Sequence, residues 1–278
     1  VCGLDPASGS VWLEGGDTLA YDSLLIATGS RSARPDIPGI DEEGVIGLWN
    51  LSDAQRFLAG PHRDVAIIGA GFIAFTILDA VIHRADQVHL VEIEEQILPR
   101  MLDEASASLL SSQLLEAGLE LHTGTSVESI EAHGERRTLR LANGSSIEAD
   151  LVIVATGILP NLEFTRSADI ATDTGILVDG HMATNVPNIF AAGDVAEGPM
   201  LHSDTRWVHA IQPTAIDHGR VAGANMAGEP VLYAGSLLMN VLAAQGLEAA
   251  SFGLWDADGL ETTRVQSTTG RVYRKYVW

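Results

Sequence analysis

"DVAIIGAGFIA", Asp64 to Ala74, is the stretch that decides how this chain is read. Val65 to Ile68 is a short apolar run ending at glycines, the pattern of a buried strand. Gly69, Gly71 and Ala74 then stand as G-x-G-x-x-A, and Phe72 to His83 reads as a helix. Gly69 permits a tight turn, Gly71 lets backbone N–H groups approach a pyrophosphate, and Ala74 is small enough for the helix to pack on the sheet. Phe72 and Ile73 open that helix, where unpaired N–H groups and the positive end of the dipole favour an anion. Glu92 ends the next strand, Gln87 to Glu92, 23 residues after Gly69. A carboxylate there can take the 2′- and 3′-hydroxyls of an adenosine ribose.

Working outward, Asp103 to Ala117 reads as a second helix. Asp103 stands at its start, Leu109, Leu110 and Leu114 form its apolar face, and Gly118 can cap its end. Val127 to His133, Arg137 to Leu141 and Ser145 to Glu148 look like short antiparallel strands, with Asn143-Gly144 as a hairpin turn. Leu151 to Ala155 returns as a strand. Together these make a βαβαβ unit with a meander insertion, a three-layer dinucleotide-binding fold.

A fingerprint of this kind usually opens a chain or a domain, yet about sixty residues precede it. An internal repeat accounts for them. "DSLLIATGS" (Asp22 to Ser30) and "DLVIVATGI" (Asp150 to Ile158) share D-x-apolar-x-apolar-x-T-G, each six residues after a glycine, Gly16 or Gly144. Gly69 lies 81 residues before Asp150. The same offset before Asp22 falls about sixty residues upstream of Val1. If the halves are duplicates, the sequence is a fragment and Gly69 to Ala74 is the second of two nucleotide sites.

Composition narrows the partners. At 278 residues the chain has room for about two domains. Apolar residues at 46% and charged residues at 19% are globular values. A net charge of −21, with Lys275 the sole lysine, argues against nucleic acid and anionic membrane. Two readings of that charge stay open, plain solubility and adaptation to high salt. The single cysteine, Cys2, excludes an internal disulfide and fits a reducing, cytoplasmic setting. We read Cys2 as structural.

These residues, with "IFAAGDVA" (Ile189 to Ala196), resemble the FAD-dependent pyridine nucleotide–disulfide oxidoreductase superfamily, the flavoprotein reductases with two dinucleotide-binding domains. The ordered set "YDSLLIATGS", "IIGAGFIA", "ILPRMLD", "ADLVIVATGILPN" and "IFAAGDVA" carries the likeness. "HAIQPTAIDHGRVAGANMAG" and "YAGSLLMNVLAAQGLEAASFG" are most similar to the branch of NADH-dependent nitrite reductase, rubredoxin reductase and NADH oxidase.

The resemblance implies an α/β fold. Two FAD/NAD(P)-binding Rossmann-like three-layer (ββα) domains are expected, the NAD domain inserted in the FAD domain, followed by the start of an α+β interface domain. The expected boundaries are 1–47 and 162–229 for FAD, 48–161 for NAD, and 230–278 for a truncated interface domain. The cofactors implied are FAD and NAD. Gly69, Gly71, Phe72, Ile73, Ala74, Glu92 and Gly157 would hold NAD. Thr28, Gly29, Gly193, Asp194 and Pro213 would touch FAD, Asp194 accepting from a ribityl hydroxyl.

The implied activity is NADH oxidation through FAD to an acceptor the sequence does not identify, with an electron-acceptor protein and a homodimer through the interface domain as the implied partners. The isolated fragment is expected to be inactive. The competing reading is a flavoprotein-derived NAD(H) sensor or scaffold with little turnover. Thr76 keeps that reading open, because it stands where the family often has Glu. Glu92, Glu94 and Glu95, with no basic residue before Arg100, predict NADH over NADPH. His202 and His209 are seven apart without a patterned third ligand, so no metal is expected there. His209 is also a candidate for a place beside the flavin. Beyond Pro230, strands are expected at Ala249 to Trp255 and Arg271 to Val277.

Overall fold

Strand Asp64–Ile68 lies at the centre of a five-stranded parallel sheet. The order is Val45–Ile46, Leu151–Val154, Asp64–Ile68, Gln87–Val91, Glu120–His122. Leu151–Val154 and, after Asp64, the central strand are apolar throughout because both faces are covered, whereas Gln87–Val91 carries Gln87 and His89 among its buried residues. In the computed structural model, which describes residues 1–201, 203–255, 260–267 and 272–278, Val65, Ile67, Leu151 and Ile153 pack with helices α1 (Leu51–Leu58), α2 (Phe72–Ile82) and α3 (Glu104–Glu116). Ala66, Ile68, Val152 and Val154 face the antiparallel meander Val127–His133, Arg136–Leu141, Ser146–Ala149. This is the expected three-layer arrangement of helices, parallel sheet and meander.

Local chemistry sets the boundaries. Asp103 is the N-cap of α3, its carboxylate accepting the Ser106 N–H, and Gly118, at φ +90°, follows the C-cap. Helix α1 was not anticipated. It starts at a capping box in which Asn50 accepts the Asp53 N–H and Asp53 accepts the Asn50 N–H. Asp150, the first residue of the repeat motif, accepts the N–H groups of Arg63 at 2.8 Å and Asp64 at 2.6 Å. Burial works to raise its carboxyl. Those two N–H groups, its own N–H and Arg136 outweigh burial and hold it below the usual carboxylate range.

Two compact units divide the chain. Ser32–Ile158 and Met239–Trp278 form one, and Val1–Arg31 and Leu159–Leu238 form the other. In the first unit, Met239–Ala244 and Leu247–Phe252 make a hairpin. Its turn, Gln245-Gly246, has positive φ at both residues, as a type I′ turn requires. Leu242 and Ala244 are buried in the core that holds α2. The strand expected over Ala249 to Trp255 is thus Leu247–Phe252. Tyr273–Val277 pairs with Thr262–Gln266, and Arg271, expected to begin this strand, lies outside the described residues. Tyr273 Oη donates to Asp103 Oδ2 at 2.6 Å.

The second unit holds a three-stranded antiparallel sheet, Gly3–Asp5, Ser10–Trp12, Thr18–Ala20, and a parallel pair, Leu24–Ile26 with Ile189–Ala191. Helix α4 (Gln212–Met226) packs against these elements through Val221 and Ala222. Among the described residues no helix is long and apolar enough to cross a membrane.

Candidate functional site

Gly69 takes φ +98°, and a Cβ there would lie 2.6 Å from the Ala155 carbonyl oxygen. Glycine is therefore required for the turn itself. The Gly69 N–H donates to Val91 O at 2.7 Å, and the Ala70 N–H donates to Glu92 Oε2 at 2.7 Å. Glu92 Oε1 accepts the Glu94 N–H at 3.1 Å. Glu92 is 8% exposed, so its carboxylate fastens the glycine turn to the loop beyond the strand. Each oxygen keeps lone-pair capacity for one more donor.

Gly71 is different from Gly69. It is the N-cap of α2 at φ −87°, an ordinary conformation, and a Cβ there would meet nothing within 4 Å. The N–H groups of the first turn of a helix have no intrahelical partner, and at α2 no side chain caps them. Phe72 and Ile73 form that turn, and Ala74 is fully buried beneath it. Gly157, at φ +119°, also faces open space, and its carbonyl accepts the Ala33 N–H at 2.9 Å. Thr76 is exposed and donates to Ile73 O at 2.7 Å. The arrangement is a bare, donor-rich turn with a buried carboxylate at its side, suited to a phosphate and a neighbouring diol.

The second unit repeats this plan at two parallel strand ends. The Ala192 N–H donates to Ile26 O at 3.0 Å, which brings the Thr28-Gly29 and Gly193-Asp194 turns after those strands into register. Gly29 and Gly193 take φ +64° and +76°. Asp194 Oδ2 accepts from Ser30 Oγ at 2.8 Å, leaving Oδ1 for another donor. Thr28 is exposed, and its Oγ1 donates to Asn161 O at 3.2 Å. Pro213 sits in the first turn of α4, whose N-cap Ile211 offers no side-chain cap.

The histidines divide. His209 is buried, its Nδ1 3.0 Å from Thr214 Oγ1, and His202 lies outside the described residues. His218, on α4, is 1% exposed and neither ring nitrogen has a hydrogen-bond partner. Burial first, then nearby His209, push it down to about 4, against the opposing pull of Asp217. A further group, His89, Glu120 and His122, converges on one face of the parallel sheet. Sequence reasoning missed it. The available signal was the i, i+2 spacing of Glu120 and His122, which puts two ligands on one face of a strand.

A family model described as pyridine nucleotide-disulphide oxidoreductase matches residues 1–212. The epsilon subunit of the NADH-dependent phenylglyoxylate dehydrogenase of Aromatoleum evansii is 33% identical over 265 residues, covering 93% of this chain and 63% of that protein. A ferredoxin reductase from Rhodopseudomonas palustris superposes with a TM-score of 0.89 at 25% identity, over 99% of this chain and 69% of that one. An NAD-dependent persulfide reductase from A. fulgidus superposes with a TM-score of 0.88 at 30% identity, over 98% and 54%. The chain spans less than two thirds of the length of the curated relatives it matches.

Proposed function

This chain belongs to the pyridine nucleotide-disulphide oxidoreductase family, and from that membership we propose that it is the two-dinucleotide part of an NADH-dependent flavoprotein oxidoreductase. When bound, nicotinamide and flavin supply the redox chemistry, electrons passing from NADH to FAD and then to a further acceptor. The unit Ser32–Ile158 with Met239–Trp278 takes NADH, and the other unit takes FAD. Among the relatives, the A. evansii protein is described as NADH-dependent, and the R. palustris structure as a ferredoxin reductase. A small redox protein of that kind is the acceptor class we favour.

The chain's own residues bind and orient. The α2 N–H groups, reached across the bare face of Gly71, hold the pyrophosphate of NADH. Gly157 gives the nucleotide close backbone approach at the neighbouring strand end. Glu92 keeps the turn in shape and accepts from the adenosine ribose. In the other unit, Thr28, Gly29 and Gly193 line the flavin side, and Asp194 accepts a ribityl hydroxyl through Oδ1. The uncapped start of α4 at Pro213 favours negative charge on the flavin by roughly 0.3–2 kcal/mol.

The observation that carries this reading is the Ala70 N–H···Glu92 clamp beside an open Gly71. It also gives a test. A 2′-phosphate on the ribose would meet the Glu92 carboxylate. After screening and side-chain motion the penalty is about 2 kcal/mol, more than tenfold in affinity. Dissociation constants for NADH and NADPH, measured by fluorescence quenching, are expected to differ at least tenfold in the wild type. Glu92→Ala is expected to bring the ratio towards one. Equal wild-type affinities, or an unchanged ratio in the variant, would remove Glu92 from the ribose role. The full-length protein loaded with FAD, rather than this chain alone, is expected to bleach on anaerobic addition of NADH and recover with an acceptor. A flavin that stays oxidised would overturn the enzyme reading.

A further inference from the structure

Away from the glycine turns, three metal-ligating side chains meet on the parallel sheet. His89 lies on Gln87–Val91, and Glu120 and His122 lie on its neighbour Glu120–His122. Parallel pairing sets His89 opposite Glu120. The period-two alternation of a strand puts His122 on the same face. His89 Nδ1 is 3.3 Å from Glu120 Oε2 and 3.5 Å from His122 Nε2, and the third side of the triangle, His122 Nε2 to Glu120 Oε2, is 3.8 Å. An ion bound tetrahedrally at about 2.0–2.1 Å separates its ligand atoms by roughly 3.3–3.4 Å. The observed triangle therefore needs only small side-chain rotations to close on one ion.

The surroundings favour a dication. The His89 and His122 side chains are 13% and 23% exposed, and Glu120 is 55% exposed, so two imidazoles stand partly dry beside one open carboxylate. The rings lie 5.7 Å apart at 29°, on neighbouring strands whose register the sheet ladder fixes.

The geometry points to a mononuclear site for a divalent transition-metal ion of the zinc class, held by His89 Nδ1, Glu120 Oε2 and His122 Nε2 with a fourth position open. Two imidazoles and a carboxylate are a ligand set that suits zinc and its neighbours and discriminates against magnesium and calcium. The ion would bind the edge strand to its neighbour at side-chain level. The His122 carbonyl accepts the Glu92 N–H at 2.8 Å, so the site adjoins the backbone that positions Glu92.

The test is a titration of chelator-treated protein with Co²⁺ as the optical probe, followed by displacement with Zn²⁺ and a parallel calorimetric titration. One Co²⁺ per chain is expected, with the intense visible bands of a four-coordinate ion, bleached by one equivalent of Zn²⁺. His89→Ala and His122→Ala are each expected to weaken binding roughly 100-fold. Glu120→Gln, an exposed conservative change that keeps the fold, is expected to weaken it at least tenfold. His133→Ala, which alters an exposed histidine on the meander, is expected to leave it unchanged. Absence of stoichiometric Co²⁺ binding to the wild type would overturn the site. So would binding that survives in the His89→Ala/Glu120→Gln double variant. Far-ultraviolet circular dichroism in chelator confirms that each variant is folded before it is scored.

Discussion

A Gly71→Val variant is expected to fold nearly as stably as the wild type and to bind NADH roughly 100-fold more weakly. A Cβ at Gly71 meets no protein atom within 4 Å, and the backbone there is extended, so a side chain can be added without strain at its Cβ. The loss of an N-cap glycine costs at most about 1 kcal/mol. The side chain would occupy the space through which a pyrophosphate approaches the α2 N–H groups. Two charge-assisted hydrogen bonds at about 1.5–3 kcal/mol each are enough for the predicted loss. Gly69→Ala should give the opposite pattern. At φ +98°, with Ala155 O 2.6 Å from the new Cβ, it is expected to lower stability by about 2–5 kcal/mol. Urea denaturation and NADH titration of the two variants separate the effects. Undiminished NADH affinity in Gly71→Val would place the nucleotide elsewhere.

The second large effect is expected with pH. His218 stays neutral in the folded protein down to about 4, because it is buried, unpaired, and near His209. Asp217 pulls the other way, and the Tyr233 ring meets it edge-on at 4.8 Å. In the unfolded chain an imidazole takes its proton near 6.5. The unfolded state thus binds the extra proton first, and stability is lost as pH falls from about 6.5 towards 4. At 1.36 kcal/mol per unit, the full loss is about 3 kcal/mol. Between pH 7.5 and 4.5 the wild type is expected to lose about 2–3 kcal/mol more than His218→Leu, measured by urea unfolding. Equal losses in the two proteins would show that His218 is solvated or protonated in the native state.

How much of this could be read from the chain depended on whether the signal was local. The glycine turn was legible because each residue acts within a few positions of the next. Val65 to Ile68 fill a buried strand, Gly69 turns, Gly71 stays bare and Ala74 packs. Asp103 was legible as a helix start for the same reason, though its contact with Tyr273 needs a hairpin 170 residues away. Helix α1 was missed because it buries only Phe57 and its apolar stripe is too short to show a period. Its capping box, Asn50 with Asp53, was the sign to look for. Glu92 was placed at the ribose from its position at a strand end, but its grip on Ala70 could not be inferred without the turn geometry. Of the His89, Glu120 and His122 triangle only the Glu120–His122 spacing could be read. His89 is 31 and 33 residues from them on another strand, and only the parallel register makes it their neighbour.

The bonds from Asp150 to Arg63 and Asp64 have a consequence for how the sheet assembles. The adjoining strands, Asp64–Ile68 and Leu151–Val154, are nearly uniform in apolar character. Shifted by two residues, they would present the same faces to the same layers and bury almost as much surface. Hydrophobic burial alone therefore discriminates poorly among their alignments. A carboxylate that must meet two specific N–H groups at the strand heads accepts only one. Asp150 works as an index mark for the folding chain, rejecting slipped sheets that greasy side chains would tolerate.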